Sequence, residues 1–391
     1  MEFTVACNWD PDLIDRVDYS EVKTLFGGLP DTLISGGRSS IVTKRLDDDS
    51  IKEYINKVHI KGKRFDFNIN SMCLSNNEFT AEGYKQIIKY LEWICELGVD
   101  SVTISNPNLI EIVKRNFPHL KIKVSTFQKI NSVSMAKRFE DMGVDSIMLS
   151  EHINRDFKLL RSIRSNIKCK LVLVANVGCV YCCPNVHSHA ASNAHSGAAN
   201  QEKTIFTETY HTYCFQKRIQ SPEELVKIRW IRPEDVSFYE DIGIDMLKII
   251  DRSTSTDSLS QRVKAYCERS YDGNLLDFPG QMVDKKNTDK RITEGMLDNE
   301  SDENISKSMK FLSAFTYSLS DLFYIDNKKI PADFLNGFEK RNCQNMSCSS
   351  CDYCKEIADK AVTVLDQKKL DIIRERLNNV RSGIYDGTLL Y

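Results

Sequence analysis

The chain has 391 residues, 41% of them hydrophobic and 28% charged, with a formal net charge of −2. A chain of this length builds a large core in one or two domains, and its near-neutral charge gives no electrostatic argument for nucleic acid or an anionic membrane beyond a local basic patch. It has no run of about eighteen apolar residues, the least a membrane-spanning helix needs, and Met1 to Val5 lack the basic start and apolar core of an export signal, so a cytoplasmic protein is expected.

The first 250 residues alternate short apolar runs with amphipathic stretches. Strands are predicted at 3–7, 22–26, 65–69, 101–105, 121–125, 146–150, 171–175 and 246–250. Between them, 81–97 carries Ile87, Ile88, Leu91, Ile94 and Cys95 on one helical stripe, and 131–142 and 156–163 behave similarly. Gly98-Val99-Asp100, Gly143-Val144-Asp145 and Gly243-Ile244-Asp245 each put a glycine where a helix should stop before a strand starts. Repeated strand–helix units predict a parallel sheet, and eight strands over this length predict a (β/α)8 TIM-like barrel spanning 1–270. An open doubly wound sheet is the alternative.

A barrel's reactive face lies just past its strands. Those positions hold Asn8-Trp9, Gly27-Gly28, Asn70, Asn106-Pro107, Thr126-Phe127-Gln128, Glu151-His152, Asn176 and Asp251-Arg252. Asn70, Asn106, Thr126, Asn176 and Arg252 are therefore candidates to bind substrate, with Arg252 and Asn106 orienting an anionic or carbonyl group. Residues 271–391 form a Cys-rich, mainly helical extension. Its parts are a polar linker at 284–306, a helix at 305–323, a short strand at 323–325, a four-cysteine motif at 343–354 and a closing helix at 355–378.

Thirteen cysteines, an odd number in a chain without an export signal, imply a reducing compartment and metal ligation more than disulfides. Cys7, Cys73, Cys95, Cys169 and Cys267 are scattered among apolar neighbours and are expected to be buried packing thiols. The loop at 176–214 is different. Cys179, Cys182, Cys183 and Cys214 lie there with four of the seven histidines, His187, His189, His195 and His211. Thiolates suit zinc or an iron–sulfur cluster, and spacing alone leaves both open. The tail motif, Cys343-x4-Cys348-x2-Cys351-x2-Cys354, packs four thiols more tightly than a zinc ribbon does. Its compact part has ferredoxin-type spacing, so a second metal centre is expected there, iron–sulfur or zinc.

Asn176-Val177-Gly178-Cys179-x3-Cys183-Pro184, His187, His195-Ser196, and the later Trp230-Ile231-Arg232-Pro233-Glu234-Asp235 with Tyr239-Glu240 and Gly243 resemble peptidase family U32, the collagenase-like peptidases. Gly36-Gly37-Arg38 and Ser125-Thr126 fit the family's pattern, and the resemblance spans roughly Phe3 to Arg252. It implies a barrel protein with an oxygen-sensitive 4Fe–4S cluster on Cys179, Cys183 and Cys214, with Cys182 the candidate for a fourth ligand. It further implies oxygen-independent hydroxylation, which relatives carry out on ubiquinone precursors or RNA bases, some with prephenate as the proposed oxygen source. The chain departs from the collagenase-like members in having Val-Ala-Asn-Val-Gly-Cys where they have His-Gly-Ala-Met/Leu-Cys.

The favoured expectation is thus a redox or group-transfer enzyme at the barrel mouth, with His187, His195 and Glu151 moving protons. A protein partner or electron donor would serve it. The competing expectations are a peptidase, for which no Gly-x-Ser-x-Gly or His-Glu-x-x-His is present, and a metal-stabilised scaffold without catalysis.

Overall fold

The computed structural model describes residues 1–38, 44–199, 208–279 and 301–390. Eight parallel strands form a closed barrel in chain order: β1 (Glu2–Ala6), β2 (Val22–Gly27), β3 (Arg64–Ile69), β4 (Ser101–Ile104), β5 (Lys121–Val124), β6 (Ser146–Met148), β7 (Lys170–Val174) and β8 (Met246–Ile249). Every predicted strand is present with ends moved by at most about two residues, the usual scatter of such boundaries. β1 pairs with β2 on one side and β8 on the other, and this closure excludes the open sheet.

The helices follow from local signals. Helix Ala81–Glu96 starts where Thr80 accepts a hydrogen bond from Gly83 N and buries Ile87, Leu91 and Ile94 against the barrel. It stops at Gly98, whose φ of 83° is the left-handed turn that glycine makes without strain. Gly143 and Gly243 end the corresponding helices in the same way.

The barrel interior carries buried charge where branched apolar residues are usual. Asp66 on β3 accepts hydrogen bonds from Ser101 (2.6 Å) and Thr103 (2.5 Å) on β4 and pairs with Lys123 on β5 at 3.5 Å. Lys248 on β8 is buried above this layer, its Nζ 3.7 Å from the centre of the Phe26 ring.

The extension differs from its predicted form. The helix expected at 305–323 is two, Asp302–Ser313 and Leu319–Leu322. The first starts inside the predicted polar linker, because Ser301 accepts from Asn304 N and opens it; positions 284–300 lie outside the described residues. The closing helix at 355–378 is also two, Tyr353–Ala361 and Gln367–Tyr385. Between them Val362–Val364 (β10) pairs antiparallel with Phe323–Ile325 (β9). A Val-Thr-Val run favours strand over helix, and Asp366 then caps the next helix by accepting from Lys369 N.

The Trp-Ile-Arg-Pro-Glu-Asp segment joins barrel and extension. Ile231 N donates to Ala175 O at the end of β7 (2.8 Å), and Arg232 holds Asp235 through two bonds of 2.8 and 2.7 Å. Glu234 accepts from Tyr271 N and Asn327 Nδ2, both at 2.7 Å. Trp230 stacks on Phe334 at 5.8 Å, and the buried Arg155 guanidinium lies 4.4 Å from the Trp230 ring centre and 4.8 Å from that of Phe334. These contacts desolvate Arg155 against aromatic faces, where cation–π attraction is strongest.

All thirteen cysteines are free. Of the five expected to be packing thiols, Cys7 is buried, Cys95, Cys169 and Cys267 are half-buried, and Cys73 is exposed, against expectation. Cys73 follows β3 in the segment leading to the turn at Asn77–Phe79, which lies on the surface. No helix among the described residues is long and apolar enough to cross a membrane.

Candidate functional site

Beyond the C-terminal ends of the strands lies a cavity of about 240 Å³. Two segments bring thiols to it. The loop after β7 supplies Cys179 and Cys183, and helix Thr209–Arg218 supplies Cys214. The Cys214 sulfur accepts from Arg218 Nη2 at 3.3 Å, while Nη1 of the same arginine donates to Gly178 O at 3.0 Å. Arg218 thereby ties the helix thiol to the loop that carries the other two. Cys179 is open to the cavity but deep in the protein, and this burial, with Glu151 adding to it, pushes its thiol up to about 12. Burial also raises the Cys183 thiol. Cys182 turns away: its φ is 52°, its N–H donates to His152 Nδ1 at 3.4 Å, and it is not among the cavity-lining residues.

The histidines at the cavity are not the two expected to move protons. Helix Val186–Ser196 presents Val186, His189, Ala190 and Asn193 to the cavity, a three-to-four-residue stripe. His187 and His195 fall on other faces of that helix and do not line the cavity. His211 enters from helix Thr209–Arg218, one turn before Cys214. Burial lowers His211 below the ordinary histidine range, and Glu208 opposes this.

Glu151 lines the cavity between Thr126 Oγ1 at 3.0 Å and Lys129 Nζ at 2.5 Å. Burial resists its charge, but Lys129 and His152 together outweigh burial and hold the carboxyl down at about 2. At neutral pH it is thus a fixed counter-ion. Arg252 lines the cavity as predicted. Its Nη2 donates to Gly36 O at 2.7 Å, and its Nη1 is buried with no hydrogen-bond partner among the described residues. A Cβ on Gly28 would overlap that nitrogen, so the glycine makes room for the guanidinium. Arg38 lies beside it and pairs with Asp251 at 2.7 Å.

Asn70 and Thr126 also line the cavity. Asn106 and Asn176 are placed elsewhere. Asn106 caps helix Pro107–Asn116, accepting from Asn108 N at 2.9 Å and Leu109 N at 3.3 Å. Asn176 is fully buried and clasps the ends of β7 and β8. It accepts from Ile250 N at 2.8 Å and donates to Phe278 O at 2.8 Å. We therefore expect Asn176→Ala to act on folding, lowering stability by about 2–4 kcal/mol because it strands buried partners. Urea unfolding of the full chain checks this, and an unchanged midpoint would contradict the assignment.

Like Lys129, Glu208 and Arg218, Lys248 is a cavity residue that sequence reasoning missed. Burial, helped by Lys123 and Arg252 and opposed by Asp66, brings its ammonium down to about 7. The signal was a lysine inside the apolar run Met246-Leu247-Lys248-Ile249-Ile250.

The tail cysteines sit apart from the cavity, on the flank of the barrel near Arg155 and Arg229. Cys343, Cys348 and Cys354 lie close enough to feel one another's charge, and burial, countered by the two arginines, brings Cys354 to about 11.

Strand closure, a cavity at the strand ends and thiols converging there define a (β/α)8-barrel protein with a sulfur-rich pocket at its mouth. The sequence pattern of peptidase family U32 matches residues 31–272. The chain belongs to peptidase family U32. It is 28% identical over 344 residues to a Methanocaldococcus jannaschii protein described as the uncharacterised protease MJ1657, covering 87% of this chain and 89% of that one. Two shorter matches are to proteins called tRNA hydroxylation protein P. The one from Escherichia coli is 28% identical over 109 residues, 28% of this chain and 23% of its own. The one from Haemophilus influenzae is 27% identical over 107 residues, 27% and 22%. Among solved structures, the U32 peptidase Mk0906 superposes with a TM-score of 0.48 at 17% identity, covering 63% of this chain and 91% of that one.

Proposed function

We propose that this chain is an iron–sulfur enzyme that hydroxylates its substrate without O2, with a 4Fe–4S cluster held by Cys179, Cys183 and Cys214. The observation that carries the reading is the convergence of three free thiols, from two segments of chain, on one cavity that also exposes Lys248 and Arg252. The residues present fit such a group. Three soft donors meet, and Arg218 donates to one sulfur, as outer-shell partners of metal ligands do.

When bound, the cluster supplies one-electron chemistry and a Lewis-acidic iron to the cavity. The chain's own residues do the rest. Arg252 Nη1 offers its free N–H to an anionic or carbonyl oxygen, and Arg38 stands beside it. This suits an organic oxygen donor of the hydroxylated carboxylic acid class. Lys248 Nζ, with its ammonium near 7, takes and returns a proton at neutral pH. Met148, Val174, Val177 and Ile250 give the cavity apolar walls that limit water. The tail cysteines hold a second metal, iron–sulfur or zinc, that fixes the extension on the barrel flank.

The peptidase reading follows the family name and the description of the M. jannaschii relative. It requires an activated nucleophile, and the desolvating surroundings of Cys179, open to the cavity, and of half-buried Cys183 push both thiols away from the reactive thiolate. One comparison separates the two. Cells with and without this chain are grown without O2, and their tRNA nucleosides and small carboxylic acids are compared by mass spectrometry. The proposal expects a hydroxylated species to disappear with the chain. Unchanged hydroxylation, together with cleavage of a collagen-like peptide by the purified protein, would overturn it.

A further inference from the structure

We infer that His189, Glu208 and His211 form a mononuclear site for a divalent first-row transition ion, zinc(II) or iron(II), distinct from the thiols that share the cavity. Their ligand atoms lie within 4.8 Å of one another. His211 Nδ1 approaches Glu208 Oε2 at 2.5 Å, His189 Nε2 approaches the same oxygen at 3.9 Å, and the two imidazole centres are 4.7 Å apart. All three atoms are buried, and none makes a hydrogen bond with a described residue. Three orphaned polar atoms meeting at one point are rare in folded proteins, because each would forfeit its hydration. A cation satisfies all of them together.

The surrounding chain supports the same reading. Glu208 holds the N-cap position of helix Thr209–Arg218, and its side chain makes no capping bond. It lines the cavity instead, with His211 one turn on and His189 reaching in from helix Val186–Ser196. Two imidazoles and one carboxylate are the donor set of catalytic zinc sites and of the facial triads that hold ferrous iron. Such sites keep coordination positions open, and here those positions face the cavity. The ion would bind and polarise an oxygen of the molecule that enters. This inference goes beyond the proposed cluster and does not depend on it, since none of its ligands is a thiol.

The test uses the full chain purified without O2. Zinc(II), then iron(II), is titrated against a chromophoric chelator, and the zinc-loaded protein is examined by X-ray absorption at the zinc edge. The inference expects one ion per chain, beyond any held by the tail cysteines, with nitrogen and oxygen neighbours at about 2.0–2.1 Å. It expects His189→Ala and Glu208→Gln each to weaken binding at least about tenfold, and Cys179→Ala to leave it within about twofold. Zinc(II) binds such sites more tightly than iron(II) in general, so metal analysis of the chain as purified without O2 identifies the resident ion. A zinc shell of sulfur alone at about 2.3 Å, or equal affinity in the parent and both ligand variants, would overturn the site. The absorption spectrum needs no variant, so a variant that fails to fold does not remove the test. Absence of iron and sulfide from the unmutated chain, with the nitrogen–oxygen ion present, would sink the iron–sulfur proposal alone.

Discussion

Cys179→Ala, Cys183→Ala and Cys214→Ala are each expected to lose bound iron and to lower activity about a hundredfold or more, while Cys182→Ala keeps both. The first three thiols line one cavity, and Cys182 lies outside it, its backbone N–H donating to His152. Outer-shell changes alone cost metal sites about 10–100-fold in affinity or activity, and loss of a ligand costs more. Iron and sulfide analysis of the four variants, beside the hydroxylation comparison, decides the matter. Full iron in all three lining variants, or iron lost only from Cys182→Ala, would place the cluster elsewhere.

Lys248→Met is expected to be more stable than the parent at pH 7 and to have lost activity. The buried ammonium has been brought down from its ordinary 10.5 to about 7, chiefly by burial. Below pH 7 the lysine is charged in both folded and unfolded chains, and the folded state carries the full cost of burying that charge. Between pH 7 and 10.5 the unfolded chain binds the extra proton, so parent stability rises with pH across this window. Met removes the cost and the slope. The gain is on the order of 2–4 kcal/mol at pH 7 and shrinks toward pH 10.5. Urea unfolding at several pH values measures it. A variant that is less stable at pH 7, or one that keeps full activity, would contradict the role given to Lys248. A group that weakens the fold while serving the chemistry is the usual trade between stability and function.

The barrel was legible because its signals are local. Apolar β-branched runs, helical stripes and three glycine stops repeat along 250 residues, and each agrees with its neighbours. The tail helices were less legible, since Val362–Val364 sits inside an otherwise helical pattern and becomes a strand through pairing with Phe323–Ile325. The thiol loop showed itself by composition, but composition does not say which way a side chain points. Asn106 and Asn176 occupy promising positions past their strands, yet Asn106 is used up by its helix cap and Glu78, and Asn176 by backbone groups. His187 and His195 were singled out beside the motif cysteines. The helix between them turns His189 inward instead, and a stripe count over Val186, His189, Ala190 and Asn193 would have found it. Lys248 drew no notice because a charged residue in a buried strand reads as a strand residue until its surroundings are known. The Trp-Ile-Arg-Pro-Glu-Asp segment, a strong family signal, docks the extension and lies outside the cavity.

The most direct test of the account is the amount of iron, acid-labile sulfide and zinc per chain in protein purified without O2, read with its visible spectrum. The account predicts about four irons with matching sulfide, or about eight if the tail also holds a cluster, with broad visible absorption. Zinc alone, with no sulfide and no colour, would contradict it and leave a hydrolase or a metal-stabilised scaffold as the reading of the same barrel.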